Sequence, residues 1–69
     1  MEAWQERVVE EAQELDNKLV KLQQMLALGK PVYIHSVDWS LLHDQHLTMM
    51  KYRRILQQRM ERFTVTKPG

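Results

Sequence analysis

Few side chains in this sequence could act on a substrate. Cysteine is absent, and Ser36 and Ser40 flank a helix start, where serine ordinarily caps. With two glycines in the whole chain, no Gly-rich phosphate-cradling loop can be built. Catalysis needs a nucleophile, a positioned base and a concave pocket. That set is missing, so the expectation is a non-enzymatic protein with no cofactor. His43 and His46 stand at i and i+3, and both rings could reach one metal with Asp44 or His35 nearby. Two ligands are too few without a symmetry mate. Histidines partly exposed at an interface are the simpler reading, and no metal is expected.

Binding chemistry is better represented. Trp4 and Tyr52 offer flat faces on which a base could stack. Arg7, together with Lys18 or Lys21 from the same or another subunit, could make charge-assisted contacts to phosphate. Each has an ordinary alternative. Trp4 can plug the end of a helical hairpin beside Arg59 or Phe63, Arg7 can pair with Glu11 four residues on, and Lys18 and Lys21 can solvate an outer face.

Charge is divided along the chain, although the formal net charge is only +1. Residues 1–17 hold six acids (Glu2, Glu6, Glu10, Glu11, Glu14, Asp16) against Arg7, a net of −5. Residues 51–67 hold six bases (Lys51, Arg53, Arg54, Arg59, Arg62, Lys67) against Glu61, a net of +5. A basic stretch of this kind could hold an anionic ligand, but the preferred reading is that it faces the acidic half in a helical hairpin. The low net charge and the interrupted basic run argue against DNA binding. No apolar run approaches the roughly 20 residues of a membrane span, and the acidic start lacks the apolar core of a signal peptide. A soluble cytoplasmic protein is expected.

The elements that must position these residues are helices. Trp4, Val8, Ala12, Leu15, Leu19, Leu22 and Leu26 recur at steps of four and three, close to a heptad. Gly29 suits the left-handed residue past a helix end, and Pro31 prevents immediate resumption. The first helix is predicted over about residues 3–28. Residues 29–37 form a connector, read as an extended loop that lays Tyr33 or Ile34 over the helix ends. Asp38 is the expected cap of a second helix over about 38–63, with Val37 and Leu42 at staple spacing. Its stripe is Leu42, Met49, Leu56 and Phe63, with Gln45, Tyr52 and Arg59 as polar seam positions between them. Residues 1–63 would make one helical-hairpin domain and 64–69 a flexible tail. Each rod would be roughly 39 Å long at 1.5 Å per residue.

The fold class is therefore all-α: two long antiparallel helices. A chain of 69 residues buries too little surface to be comfortable alone, and it has no disulfide to help. Leu47 and Met50 lie around the second helix from Met49 and Leu56, beside His43 and Arg54. Apolar side chains on two faces need two partners, and a second copy of the chain is the expected one, giving a homo-oligomeric bundle.

Two motifs carry a family resemblance. The first is Trp4-Gln5-x-Arg7-Val8-Val9-x-Glu11, continuing to Leu15-x-x-Lys18-Leu19-x-Lys21-Leu22. The second is Leu41-Leu42-x-x-Gln45-x-x-x-Met49-x-x-Tyr52-x-x-Ile55-Leu56-x-x-Arg59-Met60-x-x-Phe63. In these the chain resembles very small phage proteins and is similar to the anti-CBASS sponges of bacteriophages. The resemblance implies a compact helical oligomer, a hexamer by preference. Such an oligomer binds cyclic di- or trinucleotide messengers of a bacterial immune system in the infected host cell and sequesters them without making or breaking a bond. It implies an aromatic ring and basic side chains at subunit interfaces. Among the motif positions these are Trp4 for stacking, Arg7, Lys18 and Lys21 for phosphate, and Tyr52 and Arg59 from the second motif. Trp4 stands where relatives often have tyrosine, and the connector from Gly29 to Val37 departs from the family pattern. The alternative is a helical oligomerisation or adaptor protein that docks Leu47, Met50 and Arg54 on a host or phage protein.

Overall fold

The first helix is set by its termini as much as by its stripe. In the computed structural model, which describes the backbone of residues 2–65 and the side chains of 2–63, α1 spans Ala3–Ala27. At its start the Glu2 N–H donates to the Gln5 side-chain oxygen at 2.9 Å, the return half of a capping box. At its end Gly29 takes φ +87°, and its N–H donates to the Leu26 carbonyl at 3.2 Å. Glycine reaches that left-handed conformation without a Cβ penalty, so the chain leaves the helix there.

The connector is tighter than an extended loop. The Ile34 N–H donates to the Pro31 carbonyl at 3.1 Å, and the Lys30 ammonium closes the turn on the Ile34 carbonyl at 2.8 Å. Ile34 is half-buried, while Tyr33 stays 84 % exposed and covers neither helix end.

Helix α2 spans Ser36–Val65, so it opens two residues before the expected start and continues past Phe63. His35, not Asp38, holds the first turn: its carbonyl accepts from the Trp39 N–H at 3.0 Å and its Nδ1 from the Val37 N–H at 3.1 Å. Asp38 lies inside the first turn, where its charge complements the helix dipole. Val37 is therefore helical and exposed, and no staple to Leu42 forms. Residues 66–69 of the expected tail lie outside the described residues, and Thr64 and Val65 belong to the helix.

The two helices pack antiparallel into a rod of 56 × 16 × 15 Å. Val8, Ala12, Leu15 and Leu19 of α1 form one buried cluster with Leu56, which is fully enclosed, and Met49, Met60 and Phe63 pack beside it; Leu22 is buried further along the same stripe. This is the α1 stripe expected from its spacing, except that Trp4 is half-exposed and Leu26 is half-buried.

The α2 seam is a correction. Its more enclosed positions are Trp39, Leu42, His46, Met49, Arg53, Leu56, Met60 and Phe63, at steps of three and four. Gln45, Tyr52 and Arg59 are exposed on one flank of this seam. A stripe of period seven has neighbours at both +3 and +4, and here the +4 set faces α1. The polar members of the seam are thus His46 and Arg53.

Candidate functional site

The seam divides the hairpin into two long edges. One carries Asp16, and there Arg53 bridges the helices: its Nε donates to Asp16 Oδ1 at 2.6 Å and its Nη2 to Oδ2 at 3.1 Å. The hydrogen bond to Asp16, reinforced by its charge, raises the Arg53 pKa above the ordinary arginine value against the opposing effect of burial. The same guanidinium donates from Nη1 to Gln57 Oε1 at 3.2 Å. A shallow cleft of about 390 Å³ on this edge is lined by Leu19, Gln23, Met50, Arg53, Arg54 and Gln57. Of its two arginines, Arg53 is already engaged with a carboxylate, which leaves Arg54 as its one cation without a hydrogen bond or ion pair among the described residues.

The opposite edge carries Lys18, Lys21, Arg59 and Arg62 in its clefts. A cleft of about 350 Å³ at the open end of the hairpin is lined by Trp4, Gln5, Arg59, Arg62 and Phe63. The Trp4 and Phe63 rings meet edge to face, with centroids 5.3 Å apart and planes at 88°. That contact leaves Trp4 half-exposed, with ring surface still open to solvent. Neither Arg59 nor Arg62 makes a side-chain hydrogen bond or ion pair among the described residues. Arg62 was not among the residues singled out from sequence, although its place three residues after Arg59 on the same helical face is a legible signal.

Lys18 and Lys21 line a second cleft on this edge, about 280 Å³, with Leu22, Met25, Gln45 and Met49. Fourteen residues of helix separate Lys18 from Trp4, roughly 21 Å along the axis. One chain therefore brings Trp4 and Arg59 together, and Lys18 and Lys21 together, but not the two pairs with each other. Tyr52 is exposed between the two clefts on α2, seven residues before Arg59. Arg7, also exposed, lies one turn after Trp4 and forms no pair with Glu11. All six residues singled out from sequence thus fall along the edge opposite Asp16.

The arrangement offers stacking surface and unpaired positive charge in open clefts. Among the described residues no cluster of three metal-ligating side chains occurs, and no helix is long and apolar enough to cross a membrane. The family model described as Sequestin matches residues 2–62. The chain belongs to the Sequestin family. No curated protein and no solved structure matches it. The matched stretch of the Sequestin chain takes in all of α1, α2 up to Arg62, and every residue of the two cationic clefts except Phe63. The family name denotes sequestration, which is a binding role and not a catalytic one.

Proposed function

We propose that this protein is a sponge that binds and holds cyclic di- or trinucleotide messengers of CBASS-type bacterial immunity, without catalysis, in the cytoplasm of an infected cell. The observation that carries this reading is the cleft in which the half-exposed Trp4 stands beside two arginines, Arg59 and Arg62, that no carboxylate neutralises among the described residues. A stacking platform next to unpaired guanidinium groups suits a base joined to a phosphate. Membership of the Sequestin family supports sequestration as the outcome.

The working form is a homo-oligomer, with a hexamer favoured by the resemblance to phage sponges. Six buried side chains among the described residues are few for a rod of this length. The roughly 21 Å between Trp4 and Lys18 exceeds what one small cyclic nucleotide can span. A second copy laid along the same edge joins the Trp4 and Arg59 of one chain to the Lys18 and Lys21 of another, with Arg7 and Tyr52 at the margin.

Native mass spectrometry with a panel of cyclic di- and trinucleotides tests this. Uptake at fixed stoichiometry by an oligomer is expected, and Trp4→Ala should weaken it roughly 5- to 150-fold, the equivalent of about 1–3 kcal/mol of stacking. Undiminished affinity in that variant would reduce Trp4 to packing, and no uptake by the wild-type protein would end the reading. The adaptor reading is favoured by Leu47, 64 % exposed, and the neighbouring Met50. Recovery of one stoichiometric partner protein, with no nucleotide bound, would establish it.

A further inference from the structure

The Asp16 edge has an apolar centre. Met50 and Arg54 line its cleft, and Leu47 stands three residues before Met50 on the same face of α2. On α1, Val20 follows Asp16 by four residues and so shares its side of the helix. Counting away from the Arg53–Asp16 bridge in opposite directions brings Val20 level with Met50, and Met50 shares its cleft with Leu19 and Gln23. Val20, Leu47 and Met50 are all exposed. They fall near the middle of the rod, since α2 runs from Ser36 to Val65.

We propose that this edge is a two-fold interface with a second copy of the chain, laid antiparallel so that α1 meets α1 and α2 meets α2. The axis passes beside Val20 and between Leu47 and Met50. Val20 then touches its own symmetry mate, and Leu47 of each chain packs on Met50 of the other. This contact lies on the other side of the rod from the cationic clefts, needs no ligand and leaves those clefts open.

Charge selects both the occupant and its direction. Residues 1–17 carry a net of −5, whereas residues 18–35 carry Lys18, Lys21 and Lys30 and no acid. Residues 36–50 carry Asp38 and Asp44 and no lysine or arginine, whereas residues 51–67 carry a net of +5. Each helix thus runs from negative to positive. An antiparallel copy sets the acidic part of each helix against the basic part of its mate, and a parallel copy sets like against like.

The same complementarity holds at the centre. Asp44 and Lys51 stand on either side of Leu47, roughly 10.5 Å apart along α2, too far to pair with each other. Neither side chain has a hydrogen bond or ion pair among the described residues. The two-fold rotation brings Asp44 of each chain to Lys51 of the other, one pair on each side of the axis. Because the centre is near mid-rod, the copies overlap along most of their length. The 56 × 16 Å side of the rod accommodates the roughly 800 Å² per partner that a stable interface buries.

The chain has no cysteine, so an introduced one can pair only with its own mate. Oxidative cross-linking of Val20→Cys and of Gln13→Cys in the full chain, beside sedimentation velocity of wild type, tests the proposal. Both positions lie on the Asp16 edge. In the antiparallel pair Val20 meets its mate, whereas Gln13 is held roughly 20 Å from its own, beyond the reach of a disulfide. Wild type is expected to sediment as a dimer or larger, Val20→Cys to cross-link and Gln13→Cys not to. Cross-linking of both positions, of Gln13→Cys alone or of neither overturns the interface, as does a monomeric wild type. Asp44→Lys and Lys51→Asp should each weaken self-association about 10-fold, and the two together should restore it. Circular dichroism verifies that the variants keep their helices. No recovery in the double variant would overturn the antiparallel register. The sponge reading stands or falls separately, on nucleotide uptake.

Discussion

Arg53 grips Asp16 across the hairpin with two nitrogens on two oxygens, at 2.6 and 3.1 Å, from a position inside the hydrophobic seam. The fork geometry fixes how far α2 can slide along α1, because one turn of slippage would leave both charges at the seam without a partner. Asp16 remains about half exposed, so solvent screens much of the attraction.

Arg53→Ala and Asp16→Ala should each lower stability modestly, and the double-mutant cycle should return a coupling on the order of 1 kcal/mol or less. Chemical denaturation of the four proteins checks this. A coupling near zero would mean that the pair only decorates a register set by the apolar residues.

His46 should be replaceable at a gain. Its Nε2 is enclosed against α1 with no hydrogen-bond partner among the described residues, an arrangement that forfeits solvation for nothing in return. His46→Leu keeps the seam filled and removes the orphaned nitrogen. Thermal melting should rise by several degrees, corresponding to about 1 kcal/mol or more. A lower melting temperature would show that the imidazole is satisfied in the assembled protein.

Gly29→Ala should be destabilising even though nothing lies within 4 Å of the added carbon, because φ at this residue is +87°. The expected loss is about 1 kcal/mol, from backbone strain alone. Since the substitution touches neither cationic cleft, ligand affinity measured on the folded protein should be unchanged.

Charge reversal should discriminate the two edges. Lys18→Glu with Lys21→Glu should reduce cyclic-nucleotide affinity at least 10-fold and flatten its salt dependence. Arg54→Glu, on the Asp16 edge, should leave both unaltered. Equal losses from the two changes, followed by titration calorimetry at two ionic strengths, would point to a diffuse charge effect instead of a site.

The two-helix architecture was legible because α1 has one uninterrupted stripe and Gly29 with Pro31 marks its end. The rotation of α2 was not. Leu42, Met49, Leu56 and Phe63 are compatible with either set of intervening positions, and both sets are mostly polar. In the structure the inward set places Arg53 on Asp16 of the other helix, and that partner cannot be seen from the periodicity of α2. The start of α2 escaped for a different reason: a histidine capping through Nδ1 is ranked below aspartate by propensity, so Asp38 drew the assignment. In the cationic clefts, residue types were readable, whereas their division between two places along the rod followed only from helix length and pairing.

A hairpin of this kind zips outward from its connector, so the Trp4–Phe63 contact is the last rung to close and the first to open. Amide exchange should be fastest there and slowest around Leu15 and Leu56. A ligand lying across Trp4, Arg59 and Arg62 would fasten the first turn of α1 to the final turns of α2 and quiet that breathing. Its residence time would then be governed by how often the open end frays, which makes the length of the zipper, and not only the chemistry of the cleft, a determinant of how long a captured molecule stays.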